Sequence, residues 1–382
     1  ESFENVKVSF FLKEYMDFPY DMLVDKIEPS SSKEIQINAT LNNKILTINE
    51  NTPVQSQITI KYYSGGEEKE TSLNIPVKIL SKDSIVWDDT RRISNFITSK
   101  DPLIAQIAKS LSSRRDEFKY EIDPNLITYS LFLNYVSSLG IKYVEDPVVS
   151  YKDAKSTDMI IDTVQYPRNL LKMKAGDCDD LTALYASLFE AVGIRTVIMD
   201  WPDHITLMFE LKNNDREQAG IPSDMLIEYN GSYFVPIEVT LLSKPSFDVI
   251  SSAASIYKPN KDKVKFYEVR DALKIYESPT LDFKEEAMAE AKQDFNSLVL
   301  NDMEYMKKKN FEYYENYYKT ILNQDPNDSR SKMSLAILYA TADMREKAQS
   351  ILNEVLESEP YSSPALNNMG NIYMLDANYS KA

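Results

Sequence analysis

Lys174-Ala175-Gly176-Asp177-Cys178-Asp179-Asp180-Leu181-Thr182-Ala183-Leu184-Tyr185-Ala186-Ser187-Leu188 is the stretch that decides how the chain is read. After Leu181, apolar residues fall at 184, 188, 189 and 192, one face of a helix. Asp177 suits an N-cap, and Gly193 suits the helix end. Asp179 and Asp180 fall in the first turn, where carboxylates complement the helix dipole. The spacing therefore puts Cys178 at a helix N-terminus. Free N–H groups there lower a thiol pKa and can hold a developing oxyanion. Three adjacent carboxylates work the other way, and the dipole is worth only about 0.3–2 kcal/mol. Activation needs a base or a cation beside the sulfur. The aspartates also suggest a Ca²⁺ loop, but the Gly and distal Glu of an EF-hand are missing, so capping is the better reading.

His204, the one histidine of 382 residues, is the base available for Cys–His chemistry. Thr196-Val197-Ile198-Met199 reads as a buried strand and Trp201-Pro202-Asp203 as a turn. Residues 204–211 then alternate, with His204 first and facing away from Ile205, Leu207, Phe209 and Leu211. Asn230-Gly231 is a hairpin turn joining 225–229 to 233–240. Glu238 falls opposite Val235, Ile237 and Val239, where a carboxylate beside His204 can orient its imidazole. Blander readings stand beside these. A lone cysteine is most often a small buried apolar side chain, a lone histidine is often structural, and Glu238 can be a solvated sheet residue.

Gly-Asp-Cys-Asp-Asp at a helix start, a His just past Pro202, and Val-Pro-Ile-Glu-Val-Thr after a hairpin together resemble the transglutaminase-like superfamily, the papain-like α+β group. The resemblance covers roughly residues 125–280 and is most specific around Cys178. It implies Cys178 as nucleophile, His204 as general base and acid, and Glu238 as third member. It also implies Gln165 as a candidate extra oxyanion donor. Two departures are a Glu where Asp is commoner, one methylene longer, and Asp203 where Gly is frequent. An acid at 203 either helps orient His204 or obstructs the cleft.

Outward from this segment the chain changes character. Residues 1–85 read as an all-β, immunoglobulin-like sandwich, with alternating segments at 34–41, 57–62 and 73–79, a Ser64-Gly65-Gly66-Glu67-Glu68 turn, and Pro76 marking an edge strand or bulge. Such a module either docks a partner or is a spacer. Residues 86–285 are assigned to the α+β unit, with helical spacing at 93–97, 104–111 and 125–139, a stop at Gly140 and a break at Asp146-Pro147. From 286 to 382 a period of 34 recurs in Pro326 and Pro360, in Tyr305, Tyr339 and Tyr373, in Ala336 and Gly370, and in Tyr314, Ala348 and Ala382. This period with these residue types resembles α-helical tetratricopeptide repeats, and the array is expected to continue past Ala382. Tyr313, Tyr314, Tyr317 and Tyr318 read as repeat packing or a peptide-binding lining, and Lys258, Lys261, Lys263 and Lys265 as a solvated basic loop.

Composition closes several routes. With Lys+Arg 43 and Asp+Glu 59, the net charge of −16 argues against nucleic-acid binding. No apolar run reaches the roughly 18 residues of a membrane span. One cysteine and one histidine exclude internal disulfides and multi-histidine metal sites, and no cofactor is implied. The chain opens at Glu1 without an initiator Met, as expected if an upstream segment has been removed. Two functions follow. One is a Cys–His–acid domain acting on peptide or protein amides, by hydrolysis or acyl transfer, and recruited through its repeats. The other is a non-catalytic scaffold of the bacterial envelope or periplasm that binds protein partners through its repeats and β module. A cytoplasmic location also stays open.

Overall fold

The computed structural model of the chain describes residues 2–146, 151–155, 160–281, 288 and 294–375. Pro147 and Ala382, invoked above as a break and a repeat position, lie outside them. The protein is mixed α/β, sheet-rich at its N-terminus and helical at its C-terminus.

Four strands open the chain: β1 (Phe3–Leu12), β2 (Tyr20–Ile27), β3 (Thr52–Ser64) and β4 (Glu67–Ile79). They form one antiparallel sheet in the order β2-β1-β3-β4. The described residues of this region thus make a single four-stranded sheet, which corrects the expectation of two packed sheets. The β3–β4 hairpin turns at Gly65 and Gly66, with φ of +62° and +83°, a backbone state open to glycine. Pro76 lies on the edge strand β4, where a missing N–H disrupts no interior ladder. Residues 34–41 form no strand. Their alternation offers Ile35, Ile37, Ala39 and Leu41 for burial, yet none is buried, and Ile37 and Leu41 are 37% and 40% exposed. The pairing role falls instead to β1 and β2.

The middle of the chain contributes β5 (Ser84–Ile85), α1 (Pro102–Ser112), α2 (Pro124–Ser138), β6 (Lys142–Tyr143), α3 (Tyr151–Lys155), β7 (Asp162–Thr163), α4 (Pro167–Met173), β8 (Ala175–Gly176) and α5 (Cys178–Ala191). Then come β9 (Thr196–Asp200), β10 (Ile205–Glu210), β11 (Ile227–Tyr229), β12 (Ser232–Ile237), α6 (Ser246–Tyr257), β13 (Lys265–Glu268) and α7 (Val269–Ile275). Five of these strands form an antiparallel sheet in the order β11-β12-β10-β9-β13. α1 starts on a Pro102 that follows its N-cap Asp101, and α2 on a Pro124 that follows Asp123, each aspartate accepting first-turn N–H groups. α5 packs on β9 and β10 and is buried on every side from Cys178 to Phe189, so it is a central helix rather than an amphipathic one. Phe189 stacks on Phe209 with centroids 4.7 Å apart, and both pack on Tyr129 of α2. Each such ring removed from water contributes about 1.5–3 kcal/mol.

Four helices close the chain: α8 (Phe295–Gln324), α9 (Ser329–Thr341), α10 (Arg345–Ser358) and α11 (Ser363–Leu375). Each packs on the next. α9 and α11 are both 13 residues long and begin 34 positions apart, so the sequence period is a helix period. Ala336, Tyr339 and Ala348 sit in the shared core of this region. The 30-residue α8 belongs to two cores. Phe295, Val299, Met303 and Met306 join the middle core, while Phe311, Tyr318 and Leu322 pack on the C-terminal one. Asp302 anchors the first half. Its carboxylate accepts the Ser246 N–H at 2.8 Å and Asn134 Nδ2 at 3.2 Å, and also the Ser246 and Ser130 hydroxyls. The tyrosine cluster packs ring on ring, and the Tyr314 hydroxyl accepts the Ser223 N–H at 3.2 Å. Among the described residues no helix is long and apolar enough to cross a membrane.

Candidate active site

Three segments converge on Cys178. The first is the approach to α5. β6 and β8 pair in parallel, with Tyr143 opposite Gly176. A Cβ on Gly176 would lie 2.5 Å from Leu170 Cδ1 and 2.6 Å from Asp180 Oδ2. Asp180 fills that space as the polar hub of the helix start. In a capping box with Asp177, its Oδ2 accepts the Asp177 N–H at 3.3 Å. Its oxygens also accept the Gln165 backbone N–H and Nε2, each at 2.6 Å. Gln165 Nε2 donates its other hydrogen to Ala175 O at 3.0 Å. An amide nitrogen has two hydrogens, and both are spent. This corrects the expectation of an oxyanion donor: Gln165 fixes the cysteine helix instead.

The second segment is the β9–β10 turn. The Trp201 N–H donates to His204 O at 2.9 Å and closes the turn that presents His204. Asp200, just before it, accepts the Thr90 and Tyr151 hydroxyls at 2.8 Å each and pairs with Lys155. Thr182 Oγ1 donates to Ile205 O at 3.3 Å, which docks α5 on the start of β10. Sequence reasoning missed this pinning set, because its members are scattered polar residues with no common motif. Asp203 is exposed, and the ring it precedes bonds elsewhere, so it is not the group that orients His204.

The third segment is the end of β12. The register Leu207↔Ile237 sets Glu238 across from Thr206, diagonal to His204 on one face. His204 Nε2 lies 3.0 Å and 3.1 Å from the two Glu238 oxygens. Glu therefore reaches His204 despite its extra methylene. Thr240 holds the carboxylate from behind, Oγ1 donating to Oε1 at 2.7 Å and N–H at 3.2 Å. Glu238 is 6% exposed. Burial pushes its carboxyl up, but hydrogen bonds and charge from His204, with the Thr240 bonds, outweigh this and leave it below the ordinary glutamate value. Among the described residues no hydrogen bond engages His204 Nδ1.

Cys178 itself is 5% exposed. Burial pushes its thiol well above the ordinary range, and the Asp177 and Glu238 charges push it further. The Ile205 N–H and its own N–H bond toward the sulfur and oppose that rise. The sulfur thus abuts the backbone of the residue next to His204. The resting group is a protonated thiol, and a base must take its proton as sulfur attacks.

Asp179 is fully buried, and among the described residues no N–H or hydroxyl donor reaches its carboxylate oxygens. Burial and the neighbouring Asp177 charge hold its carboxyl far above the ordinary range. Asp177, Asp179 and Asp180 each bring an oxygen within 4.8 Å of the others, the one such grouping among the described residues. Asp180 has already spent its oxygens on three N–H donors, and a helix start favours anions, so a proton shared within the group is the simpler neutraliser. A cleft of about 970 Å³ lies elsewhere, between residues 117–122 and the α8–α9 pair, and no Cys178-site residue lines it.

Compared with family models, curated proteins and solved structures, the chain finds no match.

Proposed function

We propose that the middle of the chain is a transglutaminase-like thiol acyl transferase acting on peptide or protein amides. The carrying observations are the Glu238 carboxylate clamped on His204 Nε2 through both oxygens, and Cys178 at the tip of α5, the helix docked on β10 by Thr182. In this reading His204 Nδ1 takes the Cys178 proton as Sγ attacks the amide carbon. The developing oxyanion meets the N–H groups at the start of α5. His204 returns the proton to the leaving amine, and a tetrahedral adduct of the thioester with water or a second amine then releases the acyl group. Glu238 keeps the ring oriented and stabilises its charged form. The tetratricopeptide-like helices would recruit the protein substrate, and the N-terminal sheet would serve as a docking or spacing module in a bacterial envelope.

One observation favours the alternative scaffold reading: the thiol is buried and held protonated. Alkylation by iodoacetamide across pH, with the wild-type chain and H204A, separates the two. Catalysis predicts that Cys178 labels faster in the wild type than in H204A. Equal rates would leave a binding platform.

A further inference from the structure

A parallel ladder uses every second residue of a strand. In β6 the Lys142 N–H bonds to Lys174 O at 3.0 Å and the Val144 N–H to Gly176 O at 2.9 Å. The N–H and C=O of Tyr143 therefore face away from β8, and no hydrogen bond occupies them among the described residues. Residues 142–145 are all exposed, with Tyr143 at 39% and Val144 at 50%. β8 runs directly into Asp177 and Cys178, and β6 runs the same way. A strand added on the outer side of Tyr143 would lie two strand spacings, about 10 Å, from β8. A peptide bound there must turn across the end of β6 for one of its amides to reach the sulfur.

The charges around this edge name the occupant. Burial raises the Tyr143 phenol, and the Glu145, Asp177 and Glu238 carboxylates raise it further. Asp177 Oδ1 is buried, with no hydrogen-bond partner among the described residues. The ring of Tyr143 offers a face for a cation. Lys142 alternates to the other side of the strand. Resting on the acyl-transfer reading of Cys178, we propose that the outer edge of β6 is the substrate-docking strand, and that it takes an extended lysine- or arginine-bearing peptide paired with the Tyr143 backbone.

The test measures binding of fluorescent eight-residue extended peptides to the full chain carrying C178S, by anisotropy. Three peptides are compared: one with a central lysine, one with glutamate in its place, and one with the lysine and alternate amides N-methylated. Y143P removes the outward N–H but leaves the β8 ladder whole, and Y143F keeps the backbone. The expected result is saturable binding of the lysine peptide, about tenfold weaker with Y143P, with N-methylation or with glutamate, and little changed with Y143F. The N-methylated peptide needs no change in the protein, so a misfolded Y143P does not spoil the test. Absent binding, indifference to N-methylation, or preference for the glutamate peptide overturns the proposal. Backbone-dependent binding alongside an unreactive Cys178 would keep the dock and remove the chemistry. Turnover indifferent to N-methylation would do the reverse.

Discussion

Substituting Asp179 by Asn is expected to remove a loss of stability that grows as pH rises. Asp179 is fully buried, no N–H or hydroxyl donor among the described residues reaches either oxygen, and burial, the charge of Asp177 and a carboxyl–carboxyl hydrogen bond to it all raise its pKa. Its carboxyl is held above the unfolded value, so the folded state keeps a proton that the unfolded chain releases above about pH 4. The sign follows from that difference. The stability linked to this proton is complete below the unfolded pKa and is lost as pH climbs toward the folded one. One proton retained corresponds to a fall of about 1.4 kcal/mol per pH unit. D179N abolishes the slope, against a cost of about 1–3 kcal/mol for an amide with unmet hydrogen bonds. The variant should therefore match or trail the wild type near pH 4 and overtake it by pH 7. Urea unfolding at pH 4, 5.5, 7 and 8 measures this directly, with the slope compared between the two chains. Parallel curves would refute the buried, proton-holding carboxyl. So would a rise in wild-type stability on adding Ca²⁺ or Mg²⁺ that D179N lacks, since a cation would then be neutralising the group.

Other outcomes are expected at neighbouring positions. In an amide-hydrolysis or amine-exchange assay, C178S should abolish turnover and E238Q lower it by about 10²–10⁴ while leaving the fold intact by circular dichroism. Because Glu238 titrates below its ordinary value, it stabilises the fold above about pH 4.3, and this stability is lost as pH falls through the folded pKa. Acid titration of E238Q should show a shallower loss than wild type. Gly176→Ala forces a Cβ into Asp180 and Leu170 and should cost about 1–3 kcal/mol in urea melts, with slower Cys178 labelling. Asp302→Ala strands the Ser246 N–H and its companions, and should lower stability by about 2–4 kcal/mol and speed hydrogen exchange at the start of α6.

The site was legible to the extent that it is local. The helix beginning at Cys178 follows from a cap, a first turn and an apolar period within twenty residues, and the β10 and β12 strands follow from alternation and one Asn-Gly turn. Their meeting at His204 and Glu238 was readable because both residues end up on one face of adjacent strands. Gln165 was misread because its partner, Asp180, is 15 residues away and only the folded approach reveals that both amide hydrogens are taken. The β6 edge left no signal at all, since two residues carry no period. In the N-terminal sheet, β1 and β2 bury Val6, Leu12 and Val24 and take the pairing role, whereas Ile37 and Leu41 of the alternating 34–41 segment stay exposed. The 34-residue period announced the C-terminal helices. It could not show that the first of them would sink half its length into the neighbouring core, because Val299, Met303 and Met306 look like any helix stripe.

That shared helix removes a hinge. A binder attached by a floppy tether samples many orientations, and its cargo reaches the cysteine by chance encounter. Here the shaft that begins against α2 and α6 runs unbroken into the hairpins beyond, pinned near its root by Asp302. The C-terminal helices are thereby held in one orientation relative to Cys178, so in the acyl-transfer reading proposed above the length of a bound substrate, and not of a tether, would set which bond reaches the sulfur.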